Sequence, residues 1–505
     1  MGSRSQTLWE LIQSLDAAEL LKFRERAFDR RRKGYPNYVK LFDAIKKQEV
    51  YDELEIEESL KDEPFVNHLH RTKNYLYHRI LEFIRDAQED EETDLAKLMD
   101  GIKIVYEKGL FSHLPPLLKR ASKMAEKTED FPSLRKLISF ESGILRKRRD
   151  WKSYSEKIET LVNKSNQIFA KEKNLFELEN VEKLFEIIWG QTGDEKAELL
   201  KKVESLGKIY NPAFAISHSA RIIQLYIQIS IHNIRGEKEK VIRGCDEAIE
   251  VFKENKGLMA DKERYYTLCR LILLGSLFRV MTLDFEGAKT TFDSFRTLAK
   301  SHKRTPLEYL ENKTIFSLSL GHKSCDPNLI LTCLGDYKRL KSNSFSERNV
   351  VSEITINHLA GTTLIYAGFP EKAIFWINNN RNRNDMDNRP DLLNHSRLLF
   401  LACHWELGNV EVVDREVRSI RKSWGRKGQI SPPISLVLEL FAALSQDPQG
   451  FKNILRSTSS RIEKVANSAS WKRFENYFDF STWILAGIEG RSTMSIFQER
   501  LKDRL

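Results

Sequence analysis

Helix breakers are scarce in this sequence, with 23 glycines and 13 prolines among 505 residues. A chain of many short strands needs turn residues at every reversal, so this scarcity argues against sandwiches and barrels. Cysteine is scarcer still. Its five copies, Cys245, Cys269, Cys325, Cys333 and Cys403, are odd in number and include no CxxC pair. That pattern disfavours a zinc ribbon or a disulfide framework and is expected of reduced thiols in the cytoplasm. No apolar run is long enough for a bilayer. The best, Leu268 to Leu283, is broken by Arg270 and Arg279, so no membrane partner is expected. The N-terminal stretch MGSRSQTLWELIQSLDAAEL has no apolar h-region and carries acids early, so it does not read as a signal peptide. P-loop, GxSxG, HExxH and Rossmann fingerprints are all missing, and neither a cofactor nor a metal is expected.

What the chain does have is helix-forming composition. Hydrophobic residues make up 41% and charged residues 30%, which suits long helices with one wet face. Basic residues number 82 against 72 acidic ones, a net charge of +10. Both signs are plentiful, and the small excess permits an acidic partner without demanding one.

One pattern recurs. In MTLDFEGAKTTFDSFRTLAK (281–300), Leu283-Asp284-Phe285-Glu286 opens a helix on which Ala288, Phe292 and Phe295 share a face. Upstream, Gly236 makes a turn and Val241, Cys245 and Ala248 take the same places. Downstream, Gly368 precedes Ala373 and Ile377, and Gly408 precedes Val413 and Val417. Each is preceded by an apolar helical run: Ile222–Ile231, Leu268–Val280, Ile354–Tyr366 and Leu398–Leu407. Fainter copies place Gly109, Leu114, Leu118 and Ala121, then Trp151, Tyr154, Ile158 and Leu161. Further units are expected near 192–203, 326–337 and 445–457. The steps from Leu114 to Tyr154, from Val241 to Ala288 and from Ala373 to Val413 set a recurrence of 40–47 residues. The unit is a helix, a short turn, a second helix and a loop. A lone helix pair cannot bury its apolar stripe, so neighbours must stack.

This construction resembles the tetratricopeptide-repeat (TPR) superfamily over roughly residues 100–460, and in general look it is similar to bacterial helical-repeat proteins. The period exceeds the standard one of about 34 residues, and the usual Trp-Leu-Gly spacing is missing from the first helices, so the unit is TPR-like with longer helices. The expected fold is all-α: an N-terminal helical bundle over 1–92, then a right-handed TPR-like superhelix over 93–505. The resemblance implies a non-enzymatic scaffold that binds a protein or peptide on a concave face lined by first helices. On that basis Gln228, His232, Arg270, Arg279, Asn357, Arg397 and His404 are candidate groove residues.

Other stretches invite chemistry. KFRERAFDRRRKG contains Arg24, Arg30, Arg31, Arg32 and Lys33. Phosphate contacts would suit these cations, and Tyr35 and Tyr38 could stack on bases. Glu25 and Asp29 interleave with them, so nucleic acid is the alternative partner. His68, His70 and His78 lack a nearby Cys, and the last two lie about two turns apart, roughly 12 Å, so they do not read as a metal site. The pairs Arg71/His78 and Arg397/His404 resemble the Arg–His motif of HEPN ribonucleases, which implies a remote ribonuclease alternative; Thr72 and Leu398 stand where that motif has a polar residue after its Arg. The stretch 377–391, INNNRNRNDMDNRPD, reads as a polar loop between two helices.

The repeat reading makes a specific demand of Ala288, which must sit where two helices of a unit touch. Ala288→Trp should lower stability by about 1–3 kcal/mol through overpacking. Because repeats couple to neighbours, hydrogen exchange should open mainly across about residues 265–340. Uniform loosening of the whole chain, or no effect, would remove the basis for a repeat.

Overall fold

The computed structural model describes residues 4–15, 19–21, 23–24, 36–48, 50–87, 91–147, 149, 151–190, 193–205, 208–299, 307–341, 349–383, 389–425 and 430–502. The protein is all-α. Helix makes up 86% of the described residues, which contain no strand. The chain forms two compact units, one from residues 1–228 and 250–266, the other from 229–249 and 267–505.

The first unit begins with helices α1 (Arg4–Gln13), α2 (Asn37–Lys46), α3 (Glu53–Ser59) and α4 (Leu69–Ala87). Their apolar stripes meet in a cluster drawn only from residues 8–83, centred on Ile12, Leu41, Phe42, Ile45, Leu76 and Ile80. Asp52 caps α3, its carboxylate accepting from the backbone N–H groups of Leu54 and Glu55, which satisfies donors that the helix itself leaves open. Then follow α5 (Glu91–Glu107), α6 (Leu114–Thr128), α7 (Phe131–Lys147), α8 (Trp151–Gly190) and α9 (Gly193–Ser205), while the residues of α10 (His218–Arg235), α11 (Lys238–Glu254) and α12 (Lys262–Met281) are divided between the two units.

α8 departs from the expected period. Where the recurrence predicts the end of a second helix, a single helix continues for 40 residues. No glycine or proline occurs between Trp151 and Trp189, and Leu161, Ile168, Leu175, Leu178 and Phe185 keep one buried face running along it. With no breaker and an unbroken stripe, nothing stops the helix. Trp151, expected on the buried face, is 58% exposed.

The second unit continues with α13 (Phe285–Ala299), α14 (Leu307–Lys323), α15 (Pro327–Lys341), α16 (Val350–Tyr366), α17 (Pro370–Arg381), α18 (Pro390–Glu406), α19 (Val410–Gly425), α20 (Pro432–Gln446), α21 (Phe451–Val465), α22 (Ala469–Glu475), α23 (Phe480–Glu489) and α24 (Thr493–Lys502). One apolar core runs from Leu310 to Phe497. α16 and α18 are buried on nearly every side. Ile354, Ile356, Thr362, Thr363 and Ile365 make α16 rich in β-branched residues, a composition that locally suits a strand. Burial inside a helical array overrides that preference. Asn349 starts the helix by accepting from the N–H groups of Val351 and Ser352 at 3.0 and 3.1 Å. Gly361 lets α17 come close, since a Cβ there would stand 2.7 Å from Ile377 Cγ1.

Eight of the turns share one backbone feature. Each holds a residue in the left-handed region: Gly109 and Glu129 in the first unit; Gly236, Leu283, Cys325, Gly368, Gly408 and Gly490 in the second. At Gly368 the glycine N–H donates to Ile365 O at 3.0 Å and the Phe369 N–H to Leu364 O at 2.8 Å. The same pair of bonds closes the turns at Leu283 and Cys325, and they satisfy carbonyls that the ending helix would leave open. Where the next residue is Asp it caps the following helix: Asp284 accepts from Gly287 N–H at 2.9 Å and Asp326 from Leu329 N–H at 3.0 Å. The small residues expected early in second helices, Val241, Cys245, Ala248, Ala288, Ala373 and Val413, are all fully buried. Beside Ala288, Phe292 stacks on Phe316 with ring centroids 4.4 Å apart.

Two glycines separate turn geometry from helix propensity. Gly368 has φ +77° and Gly335 is helical, and a Cβ would meet nothing within 4 Å at either. Gly368→Ala should therefore cost about 1 kcal/mol, while Gly335→Ala should stabilise by about 0.5–1 kcal/mol. Paired urea titrations would show the midpoints moving in opposite directions.

Candidate functional site

An exposed apolar stripe of the first unit lies on α8. Val162, Phe169 and Phe176 are seven residues apart, nearly two whole turns, so they form one line about 21 Å long. They are 47%, 54% and 58% exposed, and Trp151 extends the line at its N-terminal end. The opposite side is fixed from within. Asn174 is buried, donating Nδ2–H to Phe214 O at 2.9 Å and accepting from Ile216 N–H at 3.1 Å. Arg135 flanks the stripe, its guanidinium 5.9 Å from the Phe169 ring and its Nε 2.8 Å from Glu172 Oε2.

The stripe runs into a cavity of about 450 Å³ lined by Leu95, Phe131, Leu175 and Phe176 together with Glu129, Asp130, Glu172, Glu179, Asp261 and Arg264. Three of these acids serve helix N-termini. Glu129 accepts from His218 and Ser219 N–H at 3.1 and 2.8 Å, Asp130 from Ser133 N–H at 3.0 Å and Asp261 from Arg264 N–H at 2.9 Å. Each aspartate uses Oδ1 for this. Sequence reasoning misses this site. Its apolar residues look like core, and its acids converge only through the fold. The readable signal is the seven-residue spacing of two phenylalanines and a valine on a helix whose other face is already apolar.

The residues expected to line a groove are placed differently from one another. Arg270 is exposed. Gln228 donates to Ile209 O at 2.6 Å. His232 bonds Glu237 at 2.5 Å across its own turn. Arg279 pairs with Asp246 at 2.6 Å and approaches Asp284 at 3.5 Å. Asn357 is buried and donates to Asn380 Oδ1 at 3.1 Å. Asn380 in turn donates to Ile354 O and Ser396 Oγ at 3.0 and 3.2 Å. The polar loop expected from residue 377 therefore starts later, because α17 runs to Arg381 and carries Asn380 into the core.

Arg397 and Arg381 share one carboxylate. Glu416, 5% exposed, takes Arg397 at 2.8 Å and Arg381 at 2.9 Å. Arg381 lies 4.1 Å above the Phe400 ring, and His404 packs on the same ring at 4.2 Å. The His404 Nδ1 meets Asn409 Nδ2 at 3.0 Å. Burial, then the neighbouring Arg381, pushes the His404 imidazole below its usual pKa. The structure thus brings Arg397 and His404 near one carboxylate–arginine cluster, with both side chains engaged. Arg71, His68, His70 and His78 are exposed. Arg24 pairs with Asp43; Arg30, Arg31, Arg32 and Lys33 lie outside the described residues.

Neither family models, nor curated proteins, nor solved structures yield a match to the chain.

Two buried groups set expected outcomes. Glu416→Ala strands two arginine charges and should cost roughly 3–5 kcal/mol, measurable by thermal or urea unfolding. His358 is 3% exposed, and its Nε2 lies 3.2 Å from Tyr477 O. Burial pushes its pKa down from 6.5 to about 3. The unfolded imidazole takes up its proton first, so stability is full above pH ~6.5 and falls as the pH drops toward 3, by up to about 1.4 kcal/mol per pH unit. His358→Gln should flatten the decline in urea midpoints between about pH 6.5 and 5. An unchanged slope would mean that other groups set it.

Proposed function

We propose that this protein is a non-enzymatic scaffold of the TPR-like kind, whose stacked helix pairs hold a protein or peptide partner. The observation that carries the reading is the stripe Val162–Phe169–Phe176. Three large apolar side chains, each about half exposed or more, continue into a cavity with aromatic and acidic walls. Large apolar side chains aligned on one helix face and left half exposed are costly to keep wet, and such exposure beside a cavity is a feature of interaction sites. The recurrence of helix, left-handed turn and capped helix supports the scaffold part of the reading, because such units bury their faces against neighbours and leave a long surface for a partner. In the groove expected on first helices, six of the seven candidates are wholly or partly buried and engaged internally, and Arg270 alone is exposed.

Affinity purification from the native cell tests this. The unaltered protein should retain a reproducible set of proteins. Phe169→Asp combined with Phe176→Asp should lose at least one of them while its circular dichroism melt stays within a few degrees, because both side chains are already exposed. Recovery of the same set by both proteins, or of none by either, would overturn the reading.

A further inference from the structure

Chemistry on the two sides of the α8 stripe narrows what can lie on it, given that the protein is a scaffold as proposed above. The stripe repeats every seven residues along one continuous helix. A second helix laid along α8 would return to the stripe at each two-turn interval, meeting one apolar position per heptad. An extended strand of the same length would present side chains at a period of two and would drift off it. The C-terminal end of the stripe meets five carboxylates, Glu129, Asp130, Glu172, Glu179 and Asp261, against the single cation Arg264 among the lining residues. Three of the acids hold helix N-termini and Glu172 faces Arg135, so Glu179 is the one not committed in these ways. Glu179 follows Leu175 by four residues and Phe176 by three, about one helical turn, and all three stand on the cavity wall.

We infer that the α8 stripe and its cavity receive a basic amphipathic helix of a partner protein. Its apolar residues lie on Val162, Phe169 and Phe176, and a Lys or Arg side chain enters the cavity toward Glu179. The cavity volume of about 450 Å³ falls in the range of ligand-holding cavities. Carboxylates and apolar side chains line it together, so a long cationic side chain could find both charge and apolar contact for its stem there. Phe176 stands on the cavity wall and is 58% exposed, which puts an aromatic ring within the same site.

Full-length protein titrated into two fluorescent peptides of about four helical turns tests this by anisotropy. Both peptides carry Leu at seven-residue spacing; one has Lys and Arg on its flanks and the other has Glu there. The basic peptide should bind at least tenfold more tightly than the acidic one. Phe176→Ala should weaken both, while Glu179→Lys should weaken only the basic peptide and leave the unfolding midpoint unchanged. Equal affinity for the two peptides, no binding of either, or no effect of Glu179→Lys would overturn the inference. A concentration-dependent dimer in sedimentation, abolished by Phe169→Asp, would also overturn it by making the stripe a contact between two copies. If charge proves irrelevant while the Phe169→Asp, Phe176→Asp variant still loses its cellular partner, the inference fails and the scaffold reading stands. If that variant loses nothing, both fail.

Discussion

Many of the turns between consecutive helices depend on one backbone state, a residue at positive φ whose N–H and whose successor's N–H reach back to the carbonyls of the helix just ended. Without it the last carbonyls would face a neighbouring helix unpaired. Gly109, Gly236, Gly368 and Gly408 adopt this state at little cost. Leu283 and Cys325 adopt it too, although a side chain in this region costs roughly 1–2 kcal/mol. The surrounding packing must offset that cost, and at Leu283 the offset is visible in Asp284, which caps the next helix, and in Ala288 and Phe292, which are buried just beyond it.

A second layer of order comes from polar groups inside the helical array of the second unit. Asn357, Asn380 and Ser396 link α16, α17 and α18, and Glu416 joins α19 to Arg381 and Arg397. Apolar packing tolerates sliding by a fraction of a turn, but a hydrogen bond between two buried amides does not, because the misaligned state leaves donors unpaired in a low dielectric. Tyr366 does the same at longer range in sequence. Its hydroxyl donates to Asp479 O and accepts from Asp479 N–H, both at 3.2 Å.

Helix class and several turn positions are legible in the sequence, since scarce breakers, small residues early in second helices and glycine before some of them are local signals. Gly236, Gly368 and Gly408 read as turns for that reason, and Ala288 as buried. α8 is not legible as one helix, because a repeat period taken from elsewhere suggests a break that no residue between 151 and 189 supplies. Asn380 escapes notice for a different reason: in sequence it is one of several asparagines in a polar run, and only the proximity of Asn357 and Ser396 makes it a core residue. The candidate groove residues illustrate the same limit. Arginine and histidine on an apolar helix announce that polarity must be resolved, but whether by a partner or by a neighbouring helix depends on distances that periodicity does not contain.

Those internal solutions bear on where recognition can occur. A side chain such as Arg397 already bonds Glu416, Ser419 and Ser423, and a ligand could recruit it only by breaking bonds that hold α18 to α19. The α8 stripe is under no such obligation. Leu161, Ile168 and Leu175 are buried on the inner side and Asn174 anchors the loop beneath, so the helix is held by one face while Val162, Phe169 and Phe176 stay about half exposed. A surface held from behind, with apolar area left open to solvent, loses little conformational entropy when a partner covers it. Among the described residues, α16 to α19 therefore use buried polar groups for mutual alignment, whereas α8 keeps Val162, Phe169 and Phe176 about half exposed.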